Sequence, residues 1–139
     1  VEFLGLLRLR QWRFDEAYTC FEEAYGILDA IGPDDEGAAD LPRARALLER
    51  HRGRALRGQG RRTEAVERLE RALRFFRDSG EAYNTARTLT DLAETLLDGG
   101  EAEAALPLID EALAALGREN AAYHVAFLRG LRERCVTPE

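Results

Sequence analysis

Arginine is the residue type in this chain most able to do chemistry through its spacing. Arg43, Arg50, Arg54, Arg57 and Arg61 follow one another at steps of seven, four, three and four residues. On a helix those steps gather them into one stripe along one face. A row of guanidinium groups offers paired, planar N–H donors that match carboxylates and phosphates. The other reactive side chains are dispersed. His51 and His124 stand alone in sequence, and Cys20 and Cys135 lie far apart. There is no glycine-rich phosphate loop, no paired-histidine zinc motif and no Cys/His metal spacing. No catalytic residue, metal ligand or cofactor is therefore assigned. The histidines read as surface or rim side chains, and the cysteines as partly buried free thiols.

The elements that position the arginines are helical. Tyr83, Ala86, Leu89, Ala93 and Leu96 recur at three- and four-residue steps, as do Ala105, Ile109, Ala112 and Leu116. Between the two runs stands Gly99-Gly100, where a positive φ ends one helix, and Glu101 puts a carboxylate at the positive end of the next. Taking the chain in order, residues 1–11 read as a helix that is apolar nearly all round. Residues 14–31 form a second helix, stopped by Gly32-Pro33. Residues 34–39 are the best candidate for a flexible loop. Asp40 reads as the N-cap of a helix to about residue 59, with Pro42 in its first turn. Helices over 62–78, 81–97 and 101–116 follow, and Pro107 should bend the last of them unless it lies in the opening turn. Asn120 caps a final helix carrying Tyr123, Phe127, Leu131 and Cys135.

The unit recurs. A shift of 40 places Gly60, Ala65, Leu69, Ala72 and Leu73 under Gly100, Ala105, Ile109, Ala112 and Leu113. A shift of 48 places Gly5, Ala17, Phe21 and Ala24 under Gly53, Ala65, Leu69 and Ala72. Internal repetition at such a period marks a helical solenoid.

These residues resemble the tetratricopeptide repeat. Its pattern pairs a small residue on the first helix (Gly5, Gly53, Ala93) with Gly at the turn (Gly60, Gly100). A second-helix run follows each time: EAYTCFEEA at 16–24, EAVERLERAL at 64–73 and AALPLIDEAL at 104–113. The small residues let the helices of a repeat approach closely, while Phe21, Leu69 and Ile109 fill the gaps between repeats. The repeats are longer than the family's usual length of roughly 34 residues. Trp12 stands where the first turn would have Gly. The longer, Arg-rich form is similar to repeats of bacterial signalling and transcription regulators.

The resemblance implies an all-α, right-handed solenoid of helical hairpins with about seven helices. Its repeats would span about 1–31, 40–78 and 81–117, with a capping helix at about 120–135. It also implies a concave groove lined by the first helices. Arg50, Arg54, Arg57, Arg87 and Glu94 would line that groove and receive a peptide or an acidic partner segment. A competing arrangement is a lattice in which Asp91, Glu94 and Asp98 pair with the arginines. The carboxylate clamp known in the family uses Lys and Asn, and this chain has no Lys.

Bulk numbers narrow the alternatives. With 139 residues the chain has the length of one domain. Its net charge of −6 opposes general nucleic-acid binding. The arginine stripe also has no aromatic side chains interleaved with it, as single-strand binders do. Nucleic-acid binding through Arg50, Arg54 and Arg57 is the second reading. Self-association is a third, through the apolar first helix with Phe3, Leu6 and Leu7. That helix begins as if in mid-element, so the chain reads as part of a longer protein. Neither a membrane span nor a signal peptide is evident, which points to a cytoplasmic location. Arginine-only basic usage suggests a GC-rich bacterial genome.

Overall fold

The computed structural model of this chain describes residues 13–30, 40–116 and 122–136. Its regular elements there are six α-helices: α1 (Phe14–Asp29), α2 (Leu41–Gly58), α3 (Arg62–Asp78), α4 (Ala82–Asp98), α5 (Ala102–Leu116) and α6 (Ala122–Val136). The helix expected over residues 1–11, with Phe3, Leu6 and Leu7, lies outside the described residues. So do the loop at 34–39 and the cap at Asn120. No strand occurs among the described residues. The chain is an all-α array of helical hairpins.

Helices α3, α4, α5 and α6 start at residues 62, 82, 102 and 122, steps of 20, so a hairpin repeats every 40 residues. One backbone device sets the first three of those starts. Gly60, Gly80 and Gly100 have φ of 78°, 70° and 76°. This is the left-handed region, which Gly enters without a Cβ penalty. In each case the glycine N–H bonds the carbonyl three residues back, and the next N–H bonds the carbonyl five back. The pairs are Gly60 to Arg57 with Arg61 to Leu56, Gly80 to Arg77 with Glu81 to Phe76, and Gly100 to Leu97 with Glu101 to Leu96. These are Schellman closures, which satisfy carbonyls the helix end would orphan. Arg61, Glu81 and Glu101 then accept the first bond of the following helix. Gly99 itself keeps φ at −90°, so only the second glycine of that pair is left-handed.

The contacts divide the chain into two compact units, one reaching to Phe75 and one beginning at Phe76. In the first, α1 lays Ala17, Phe21 and Ala24 against Leu48 and Ala55 of α2. Phe14, Tyr18, Tyr25 and Leu28 flank that core. Asp40 stands at the N-cap of α2 but makes no side-chain cap bond. Gly53 meets α3 at close range. A Cβ built there would lie 2.6 Å from Leu69 Cγ and 3.3 Å from the Ala65 carbonyl. Leu69 is fully buried, as its gap-filling place requires.

In the second unit, Ala86, Leu89, Leu92 and Ala93 of α4 and Ala105, Ile109, Ala112 and Leu116 of α5 are buried. Thr88 and Thr95 are buried too, and each hydroxyl bonds the carbonyl four residues back, at 2.7 Å. Their polarity is thus met within the helix. Pro107 lies inside α5, beyond its opening turn, on the exposed side. Glu103, whose carbonyl loses its ladder partner to Pro107, is exposed as well, so water can satisfy that carbonyl.

The face of α6 differs from the expected one. Leu128 and Leu131 are buried, while Tyr123 is 80% exposed and Phe127 41%. The final helix offers two overlapping apolar stripes, and the one with two leucines is the one that packs. Tyr83 is likewise 46% exposed rather than part of the α4 core face.

Candidate interaction surfaces

In the first unit the charged side chains of α2 are the dominant feature. Six consecutive residues, Leu48, Glu49, Arg50, His51, Arg52 and Gly53, are buried. Burial of charge is tolerated only with partners. Arg52 has them: its Nη1 lies 2.5 Å from Glu49 Oε1, and its Nη2 lies 2.5 Å from Glu22 Oε1 on α1. The guanidinium also stacks over the Tyr25 ring, 4.6 Å from its centroid. The second oxygen of Glu49 receives Arg68 of α3 at 3.4 Å, with Arg71 at 4.0 Å. A chain of charge therefore runs Glu22–Arg52–Glu49–Arg68 and ties α2 to both neighbours. Burial opposes the Arg52 charge, but the Glu49 and Glu22 carboxylates, with Arg52 donating to Glu22 and Tyr18, outweigh it and raise its pKa.

Glu64 and Arg68 stand four residues apart on α3, a spacing that could pair them within the helix, but their ion pairs lie elsewhere. Arg68 reaches across to Glu49, and Glu64 pairs instead with Arg61. The reason is dielectric: a buried carboxylate draws a guanidinium more strongly than one in water. Neither Arg52 nor Glu49 stands out by spacing. The available signal is that Glu49 is the lone acid between residues 41 and 61.

The expected stripe sits on the same helix. Arg50 is buried, and Arg54 and Arg57 are half-buried. Arg54 Nη1 lies 3.4 Å from His51 Nδ1. His51 is not a surface residue as expected. It is buried and stacked on Phe21, with centroids 5.4 Å apart and planes 22° apart.

In the second unit, Arg87 and Glu94 both lie half-buried on α4. Arg87 belongs to a cluster with Tyr83 and His124. Arg87 Nη1 is 3.1 Å from Tyr83 Oη and 3.1 Å from His124 Nε2, and Tyr83 Oη is 3.1 Å from the same Nε2. A guanidinium can only donate, so Nε2 accepts and carries no proton in this arrangement. The Tyr83 and Tyr123 rings both meet the imidazole edge-on, at 5.6 and 5.8 Å. Two ion pairs also join helices in this unit, Arg77 of α3 with Glu111 of α5, and Arg132 of α6 with Asp110 of α5.

Cys20 and Cys135 are both free thiols, each half-buried. Burial pushes the Cys135 thiol up; Arg134 and Arg132 act against the shift, and Asp110 adds to it. Among the described residues no cluster of His, Cys, Asp or Glu could hold a metal ion. No helix among them is long and apolar enough to cross a membrane.

Hairpins repeating every 40 residues, joined by identical glycine closures and packed through small residues such as Gly53, define a helical-repeat protein. The family model for the tetratricopeptide repeat matches residues 42–117, more than half of the chain. The chain belongs to that family. No match is found among curated proteins or among solved structures.

Proposed function

We propose that this chain is a non-catalytic module for binding protein partners, acting in the bacterial cytoplasm as the scaffold or sensory part of a signalling or transcription regulator. The observation that carries it is membership of the tetratricopeptide repeat family, whose hairpins generally mediate protein–protein interaction. The partner segment is acidic and meets the arginine face of α2. Arg54 and Arg57, half-buried, supply donors there, with Arg50, buried on the same helix, as a third. Arg87 and Glu94 are proposed as contacts on the second unit. Self-association through Phe3, Leu6 and Leu7 is the alternative reading.

The test is capture of partners by the wild-type chain and by an Arg54→Glu/Arg57→Glu variant, at low and high salt. These two positions are preferable to Arg50, whose burial would confound binding with folding. A protein held by wild type alone and released by salt supports the reading. Equal retention by both variants removes the arginines from it. Retention of nucleic acid alone would favour nucleic-acid binding.

A further inference from the structure

Helix α1 is keyed to α2 at a fixed interval. Asp15, Glu22 and Asp29 stand seven residues apart on α1, and Arg45, Arg52 and Gln59 stand seven apart on α2. Seven residues make about two helical turns, so each set forms one stripe. The stripes meet antiparallel. Gln59 Nε2 donates to Asp15 Oδ1 at 2.6 Å, Arg52 Nη2 lies 2.5 Å from Glu22 Oε1, and Arg45 Nη2 lies 3.1 Å from Asp29 Oδ1. Tyr18 and Tyr25, again seven apart, fill the seam. The Arg61 guanidinium lies 5.4 Å from the Tyr18 ring centroid, and that of Arg52 4.6 Å from the Tyr25 centroid. A slip of seven residues either way leaves an acid or an arginine of the seam without its partner, so the charges select one register.

The apolar contact beneath the seam is small. Its buried members are Ala17, Phe21 and Ala24 of α1 with Leu48 and Ala55 of α2, so only Phe21 and Leu48 bring large side chains. Asp29 is the last residue of α1, where the helix dipole disfavours an acid, and Arg45 across the seam is what rewards it. Helix α1 also stands outside the matched family region, residues 42–117. Residues 30–40 separate it from α2, where only residues 59–61 part α2 from α3. Meanwhile α2 keeps its own hold on α3, through Gly53 against Leu69 and Glu49 with Arg68.

We propose that α1 is a charge-keyed strap, a helix that leaves α2 and returns to it as one unit while α2 stays packed on α3. The buried Arg52 guanidinium with Glu22 sets where the strap closes. The outer pair sets how often it opens: Asp29 and Arg45 are 56% and 40% exposed at their side chains, so salt screens their attraction. Opening uncovers the side of α2 that carries Leu48, Arg52 and Ala55. Local opening of this kind needs few buried apolar contacts, which the α1 seam provides. The device operates whichever partner the Arg54 and Arg57 face receives.

Amide hydrogen exchange of the full chain, read by mass spectrometry over residues 14–29, 41–58 and 82–98, tests it. Between about 0.05 M and about 1 M NaCl, exchange in 14–29 should rise at least about threefold while the other two segments hold their rates. Asp29→Arg, which sets two cations face to face at the exposed end, should speed exchange in 14–29 at least about threefold at low salt. Adding Arg45→Asp re-forms the pair with its charges exchanged and should return exchange to the wild-type rate. Glu22→Gln should also speed exchange in 14–29. Equal acceleration of 14–29 and 41–58 overturns the proposal, because α1 would then leave only when α2 unfolds. No effect of salt or of Asp29→Arg overturns it as well, since the apolar contact alone would hold α1. Failure of Arg45→Asp to restore the Asp29→Arg rate removes the pairing on which the strap depends.

Discussion

Arg52 and Glu49 are only 6% and 7% exposed at their side chains. At that depth a lost partner is costly, because little water reaches the charge left behind and Glu49 would keep only Arg68 at 3.4 Å and Arg71 at 4.0 Å. Arg52→Met should lower stability by about 3–5 kcal/mol, measured by urea unfolding. The double variant Glu49→Leu/Arg52→Met should recover most of that loss, because it removes both desolvated charges. A single-variant loss of only a few tenths would show that the pair is not buried in solution. Gly53 is the second sensitive residue. With Leu69 Cγ only 2.6 Å from the site of a Cβ, Gly53→Leu should destabilise by at least about 1–3 kcal/mol, and unchanged melting would contradict the close approach of α2 and α3. The Cys135 thiol behaves differently. Burial raises its pKa, so less thiolate exists at neutral pH and alkylation by iodoacetamide should be slower than for free cysteine. By linkage, the neutral thiol favours the folded state below the ordinary range near pH ~8.5, and that advantage is lost as pH rises from there through the raised folded value.

At the scale of elements, the helix boundaries were legible because their signals are local. Gly60, Gly80 and Gly100 each sit where a left-handed residue must close a helix. The small residues at Gly53 and Ala93 stood out against larger neighbours. What could not be read was orientation about an axis. In α6, Tyr123, Phe127, Leu131 and Cys135 form a plausible buried face, but Leu128 and Leu131 take it and the aromatics stay outside. Periodicity alone does not choose between stripes that share Leu131. Charge pairing was equally hidden, since spacing suggests partners on the same helix, whereas Arg68 finds its partner across helices and Arg52 adds Glu22 of α1 to Glu49 of its own helix. Pro107 belongs to this scale too. It stands inside α5 without a ladder N–H, so Pro107→Ala should raise stability by roughly 1–3 kcal/mol. A lower melting temperature would mean that the proline shapes α5 in a way the packing needs.

At the scale of the whole molecule, tetratricopeptide hairpins typically serve as interaction surfaces, and the arginine patches proposed here for that role lie on a chain of net charge −6. Such patches speed association with acidic partners and make it salt-dependent. In the first unit the buried charge chain keeps α2 in place between α1 and α3, so that Arg54 and Arg57 are presented from a fixed helix. The most direct measurement is the affinity of the captured partner for wild type and for Arg54→Glu/Arg57→Glu across a salt series, with helicity checked by circular dichroism. Affinity for wild type should fall steadily with salt, and the variant, equally helical, should bind at least about tenfold more weakly. Equal affinity for both proteins with no dependence on salt would contradict the account.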